Sequence, residues 1–384
     1  MRACVLSKAI LLSVRTSMPV PSVSSLQSSW RIALSSAIGG PAAGRTGILT
    51  KEPGSAPPGR APRLPPSLKL PATRGLAVNQ NAMALSGGIL AAFSSEVPSL
   101  GRRDNDALGE ACELYAGGRH AEALVKFDSV LSRNAGDPNV SSGRAAALVA
   151  MGRCLEAIDA LDCVIAASPG HYCARLNRGC ALCCLDRPLE ALREFGVAAG
   201  LAPREPAPHV NTATVLAELG RASEAIVSLD RAAALDPTSA AIHLDRGGVL
   251  LRLDRHGDAL EAYARAASLD AGNPHAHLGR GRALNHLERH DAALECLDLS
   301  VGLLPGSASA HCGRGVALFG LGDLEGALAA FERAASLDAG NVNALLGRGH
   351  MLAVLGRPVD ALDSLERAER QITTRKVPAS GVAA

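Results

Sequence analysis

The sequence predicts an all-α fold, a right-handed α-solenoid of tandem helical hairpins preceded by a disordered N-terminal arm. A strict 34-residue repeat runs through most of the chain, and the first 100 residues differ from the rest in composition. Only 2% of the residues are aromatic although 47% are hydrophobic. This is not the composition of an ordinary protein with a single compact core.

Residues 1–100 form the predicted arm, which is rich in Ser, Pro and Ala. Residues 54–71 have no apolar periodicity, so they cannot bury enough surface to offset the entropy lost on ordering. Before Glu52 the arm contains basic residues but no acidic one, as organelle transit peptides do. Three interpretations stay open: a mitochondrial or plastid presequence, a plain disordered tail, or an upstream extension with translation beginning at Met83 rather than Met1.

The charge balance argues against a nucleic-acid partner. Residues 1–95 hold 10 basic residues and 1 acidic one, which leaves 29 basic and 36 acidic residues, or −7, for the remainder. That remainder lacks the dense basic face that phosphate-backbone binding requires. No stretch of eighteen apolar residues occurs, so no membrane span is expected either.

The ten cysteines are irregularly spaced, which does not resemble the disulfide framework of a small secreted domain. A reducing compartment with free thiols is the better interpretation. We therefore expect a cytoplasmic location, with import through the arm as the alternative.

An invariant alanine defines the repeat, and a leucine lies nine residues before each copy of it. We expect these alanines to pack the two helices of each repeat together. They are Ala123, Ala157, Ala191, Ala225, Ala259, Ala293, Ala327 and Ala361.

Each repeat is predicted to be a hairpin of two amphipathic helices. Apolar residues at one, four and seven positions after the invariant alanine define one helical face, and a second face lies upstream. The turn between the helices is marked by glycine in five repeats: Gly118, Gly152, Gly220, Gly322 and Gly356. Proline prevents continuation of the second helix at Pro169, Pro203, Pro237 and Pro305.

The residues that recur at fixed positions of the 34-residue repeat together resemble the tetratricopeptide repeat. They comprise a small residue at repeat position 8, Ala at 20, an aromatic residue or Leu at 24, Ala at 27 and Pro at 32. Position 7 is mostly Arg, as in the Arg-Gly variant of the repeat. The family's aromatic residue at position 4 is replaced in four repeats by His209, His243, His277 and His311.

The resemblance covers eight tandem units over residues 104–375 and leaves 376–384 as a short flexible tail. The units start at residues 104, 138, 172, 206, 240, 274, 308 and 342.

The resemblance to this family implies a concave groove, lined by positions 2, 5, 9, 12 and 13 of the first helices, in which a partner peptide lies. The groove residues would be Leu176, Val210, Leu244, Leu278, Leu346, Arg252, Arg282, Asn285 and His286. They suggest a protein partner with an apolar or amphipathic segment and an acidic stretch opposite Arg252 and Arg282. The alternative is that the position-5 leucines merely pack within the array.

No catalytic or cofactor motif accompanies the repeats: the sequence has no phosphate-binding loop, His-Glu-x-x-His or Gly-x-Ser-x-Gly. We therefore predict no enzyme activity, no cofactor and no metal. Cys180, Cys183 and Cys184 cluster in one predicted helix, with Cys173 two turns earlier. Packing is the expected role of these cysteines, and a redox or metal role stays open.

The predicted function is a non-catalytic adaptor or scaffold that binds a partner segment in the groove. One alternative is a targeting or regulatory arm related to Ser/Thr O-linked glycosyltransferases, although the Asn ladder expected at position 6 survives only as Asn177 and Asn211. Another is an organellar complex-assembly factor. The last hairpin must cap itself, so end-to-end self-association is a further expectation.

Overall fold

The structure is a computed structural model in which residues 100–376 are described. The predicted N-terminal arm and the tail after residue 376 lie outside the described residues. Within the described range the chain forms 16 α-helices and no strand. Its helices belong to two compact units, the N-terminal unit (residues 100–271) and the C-terminal unit (residues 272–376).

The N-terminal unit consists of five helical hairpins. Its helices are α1 Arg102–Ala116, α2 His120–Leu131, α3 Pro138–Ala150, α4 Cys154–Ala167, α5 Tyr172–Cys184, α6 Pro188–Leu201, α7 Ala207–Glu218, α8 Ala222–Leu235, α9 Ala240–Arg252 and α10 His256–Leu269. Each helix packs against the next one along the chain, so the hairpins stack in sequence order.

The C-terminal unit repeats the same arrangement with three hairpins. Its helices are α11 Pro274–His286, α12 His290–Leu303, α13 Ala308–Leu321, α14 Leu324–Leu337, α15 Val342–Val354 and α16 Pro358–Lys376. Consecutive helices again pack against each other. The all-α solenoid of helical hairpins predicted from the 34-residue period is thereby confirmed.

The turn inside each hairpin contains one residue in the left-handed region. The five predicted turn glycines have φ values between 75° and 86°. In the other three hairpins the same position is occupied by Asp186, Asp254 and Glu288, with φ of 56°, 57° and 58°. Glycine adopts this conformation without a Cβ clash, whereas the three acidic residues are held in it by the hairpin around them.

Side-chain N-caps begin the first helix of most hairpins, and the repeat pattern in the sequence did not reveal them. In six of the eight hairpins, the side chain of the residue before the first helix accepts a hydrogen bond from one or two backbone N–H groups of the first turn, which would otherwise lack a partner. These N-cap residues are Asp137, His171, Ser239, Asn273, Ser307 and Asn341. Five of the six are Asp, Ser or Asn, which is the signal that could have identified them.

Small residues let the two helices of a hairpin approach closely. All eight invariant alanines are fully buried. The glycine at position 8 faces the large residue at position 24: a methyl group on Gly247 would lie 2.8 Å from the ring of Tyr263, and one on Gly315 would lie 2.9 Å from that of Phe331. No larger residue fits there without displacing the ring.

In four hairpins the arginine at position 7 joins the hairpin to the preceding one. It forms an ion pair with the acidic residue sixteen positions earlier, on the preceding second helix. The N–O distances are 2.6 Å for Arg144–Asp128 and 2.7 Å for Arg178–Asp162, Arg246–Asp230 and Arg314–Asp298. These pairs are partly exposed, so each contributes at most about 1 kcal/mol to the contact between neighbouring hairpins.

Replacing Ala259 by Leu should destabilise the N-terminal unit. Ala259 is fully buried, so the added carbons overpack the contact between α9 and α10 and cost ~1–3 kcal/mol. The measurement is thermal unfolding followed by circular dichroism. Ala264 lies on the exposed side of the same helix, and Ala264→Leu serves as the matched control with little expected effect. Equal melting temperatures for the two variants would contradict the packing.

His171, the N-cap residue of α5, should make the melting temperature of the protein depend on pH. The Nδ1 atom of His171 accepts from the Ala174 N–H at 3.1 Å, and its Nε2 atom lies 3.1 Å from Oδ1 of Asn139. Together these bonds assign the proton to Nε2 of a neutral ring. Burial lowers the pKa of His171, although the carboxylate of Asp137 acts in the opposite direction.

Because the folded state disfavours the charged ring, the melting temperature should fall as the pH drops from about 6.5 through the folded-state pKa of His171. His171→Asn keeps a cap without titrating, so its melting temperature should change less than that of wild type between about pH 7.5 and about pH 5. His275 is exposed, and His275→Asn is the control. A wild-type pH dependence in His171→Asn would refute the assigned cap.

Candidate functional site

The first helices of successive hairpins contact one another directly. In the N-terminal unit α1 contacts α3, α3 contacts α5 and α5 contacts α7; in the C-terminal unit α11 contacts α13 and α13 contacts α15. Positions 5, 9, 12 and 13 of these helices lie on one helical face. In each unit, we call this surface the first-helix face.

In the N-terminal unit, part of the first-helix face is buried by packing between the hairpins. Leu176 is only 1% exposed and belongs to the apolar core, so it packs within the array and does not face a partner. Val210 and Leu244 are half-buried. The packing alternative therefore holds for Leu176, whereas the other two side chains remain accessible.

Arg252 is exposed but already has local partners. Its guanidinium donates to the carbonyl oxygen of Ala217 at 2.6 Å, near the C-terminal end of α7. Burial raises the pKa of the neighbouring Glu218 carboxyl, and the charge of Arg252 opposes that shift. The positive charge of Arg252 is thus partly used inside the protein.

The two asparagines at position 6 hold hairpins together. Asn177 is 1% exposed, and its amide donates to both the carbonyl oxygen and the hydroxyl of Ser142 at 3.0 Å. Asn211 is also buried and lies 3.6 Å from the sulfur of Cys180. Both side chains are buried, so neither amide presents hydrogen-bonding groups to a ligand.

The cysteines of α5 are packing residues for the most part. Burial raises the pKa of Cys173 to about 11, that of Cys183 to about 12, and that of Cys180 well above its ordinary value. These thiols therefore stay protonated near neutral pH. Over the described residues, no group of three or more His, Cys, Asp or Glu side chains could hold a metal ion.

In the C-terminal unit the first-helix face forms a more open surface, which we call the C-terminal groove. Its half-buried side chains are Leu278, Arg282 and His286 on α11, Phe319 on α13, and Leu346 and His350 on α15. The rings of Phe319 and His350 meet edge to face with centroids 5.5 Å apart, which joins α13 to α15. Burial lowers the pKa of His350 and favours its neutral form.

Asn285 does not belong to the accessible groove. It is 9% exposed, and its amide donates to the carbonyl oxygen of Gly313 at 2.9 Å. The predicted partner contact at Asn285 is corrected to a link between α11 and α13.

The charges of the C-terminal unit are segregated. Helices α11, α13 and α15 contain no acidic residue; the Asp and Glu residues of this unit lie on the second helices and in the turns. Arg314 and Arg348 on α13 and α15 point to second-helix carboxylates, Asp298 at 2.7 Å and Glu332 at 3.5 Å. Arg282 has no ion pair among the described residues, so it leaves an uncompensated positive charge in an apolar groove.

Comparison with known proteins gives a family and a fold. The family model for the tetratricopeptide repeat matches residues 210–274, 244–308 and 310–375. Comparison with curated protein sequences yields no match.

Several solved structures resemble the fold, including two that match most of this chain. One is the APC/C hetero-tetramer Cut9-Hcn1, with a TM-score of 0.54 at 17% sequence identity; the match covers 81% of this chain and 61% of that chain. The other is a tetratricopeptide repeat protein from Parabacteroides merdae ATCC 43184, with a TM-score of 0.51 at 17% identity, covering 61% of this chain and 93% of that one. None of the described helices combines the length and apolar character needed to span a bilayer.

Proposed function

We propose that this chain, in which residues 210–308 and 310–375 match the tetratricopeptide repeat, is a non-catalytic scaffold that binds a segment of another protein on its first-helix face. A preformed surface of stacked helices loses little entropy on binding, so several weak contacts can add up to useful affinity. The C-terminal groove is the proposed docking surface, because its side chains are half-buried and keep part of their surface accessible.

The uncompensated charge of Arg282 in this groove carries the proposal. Leu278 lies one turn before Arg282 on α11, Phe319 and Leu346 add apolar surface to the same face on α13 and α15, and the first helices of this unit contribute no negative charge. An acidic side chain of a partner would gain a charge-assisted hydrogen bond from the guanidinium without competition from a local carboxylate. The partner segment is therefore one that alternates Asp or Glu with large apolar residues.

The groove can be tested with displayed random peptides screened against the full-length chain. We expect enrichment of acidic-apolar sequences, with affinity that falls as salt rises. Arg282→Ala should weaken the selected peptides about tenfold, equivalent to about 1.4 kcal/mol. Leu278→Glu should also weaken them, because it places a negative charge and removes apolar surface at the same site.

Arg289→Ala is the matched control. Arg289 is an exposed turn residue of the same hairpin, so its removal changes the net charge equally but leaves the groove intact. Enrichment of basic peptides, or equal loss of affinity in Arg282→Ala and Arg289→Ala, would overturn the proposal.

A further inference from the structure

Two cysteines from neighbouring hairpins lie at the same end of a helix pair. Cys154 is the first residue of α4 and Cys184 is the last residue of α5. The two helices pack against each other and are connected by residues 168–171, so they run in opposite directions. The start of α4 therefore lies beside the end of α5.

The corresponding pair in the C-terminal unit shows how close these positions are. His290 and Gly320 lie 136 residues, or four repeats, after Cys154 and Cys184. A methyl carbon on Gly320 would lie 2.5 Å from Cγ of His290. Since Cγ is about 1.5 Å from Cβ, the two Cβ positions are at most about 4 Å apart, inside the roughly 3.5–4.5 Å of a disulfide.

The two thiols differ in environment. Cys184 donates a hydrogen bond to the sulfur of Cys154; this bond lowers the pKa of the Cys154 thiol and raises that of Cys184. Cys154 also stands at a helix N-terminus, where the helix dipole favours a thiolate. Cys154 is 4% exposed, whereas Cys184 is half-buried and lies at the edge of the core.

We propose that Cys154 and Cys184 are a dithiol that a hydroperoxide oxidises to a disulfide between the second and third hairpins. The thiolate of Cys154 attacks the O–O bond; an S–O bond forms, the O–O bond breaks, and the alkoxide leaves with a proton as an alcohol. The sulfur of Cys184 then attacks the sulfenic acid. The S–S bond forms, the S–O bond breaks, and hydroxide leaves with the thiol proton as water.

This covalent link would change the array locally. The hairpins of α3–α4 and α5–α6 already meet through apolar packing, the Arg178–Asp162 ion pair and the hydrogen bonds of Asn177 to Ser142, none of which is covalent. The disulfide would prevent them from separating, and it would remove the Cys184 thiol from position 13 of the first-helix face. The site thus couples oxidation to the stiffness of the N-terminal unit.

Peptide mapping of the full-length chain after hydrogen peroxide treatment tests the pair. Remaining thiols are blocked with N-ethylmaleimide, and tryptic peptides are sequenced by fragmentation without reduction. We expect a peptide linked through Cys154 and Cys184 that has lost the mass of two hydrogen atoms. Cys184→Ser should abolish the link and leave Cys154 as a sulfenic acid that dimedone labels; Cys154→Ser should abolish both products.

Cys163→Ser is the control, because it removes an exposed thiol from the same helix and should leave the link unchanged. Circular dichroism verifies that each variant remains helical. A link through Cys163, Cys173 or Cys180, a link that survives in Cys184→Ser, or direct accumulation of sulfinic acid at Cys154 would overturn the proposal.

Discussion

The close approach of the two helices within each hairpin is the constraint on which the rest of the structure depends. A fully buried alanine at position 20 and a small residue at position 8 leave just enough room for the large side chain at position 24. One hairpin alone cannot bury the outer faces of its helices, so stability accumulates as hairpins stack. This explains why a chain with 2% aromatic residues can build an extended core: each unit needs only one large side chain between small ones.

The arginines at position 7 stabilise the contacts between hairpins, whereas an arginine at another repeat position is left for a partner. In four hairpins this arginine reaches back to the preceding second helix at 2.6–2.7 Å, so its charge is neutralised inside the stack. The glycine that follows Arg178, Arg246 and Arg314 admits the large side chain of its own hairpin. The Arg-Gly pair therefore serves packing, and the charge left for a partner is found two residues later, at Arg282.

The sequence was sufficient to predict the hairpins, their turns and the buried alanines, because each depends on a residue type that recurs in every repeat. It was not sufficient to decide which position-5 and position-12 side chains are accessible. Leu176 and Leu278 occupy the same repeat position, yet the first is enclosed by the core and the second is half-buried. Their exposure depends on neighbours from other hairpins, which a column of similar residues does not report. The N-caps escaped prediction for another reason: Asp, Ser, Asn and His do the same work there, so no single residue type marks the column.

For the cysteines as well, the spacing in the sequence does not report the burial and the neighbours of each thiol. In sequence, Cys180, Cys183 and Cys184 form the conspicuous cluster, but burial keeps the first two protonated and unreactive. The proposed chemistry lies instead with a residue thirty positions before Cys184, because the antiparallel packing of α4 and α5 brings residues that are distant in the sequence together. Cys154 differs from the others in having both a helix N-terminus and a thiol donor beside it. Reactivity in this array is therefore set by the contact between hairpins rather than by the local density of thiols.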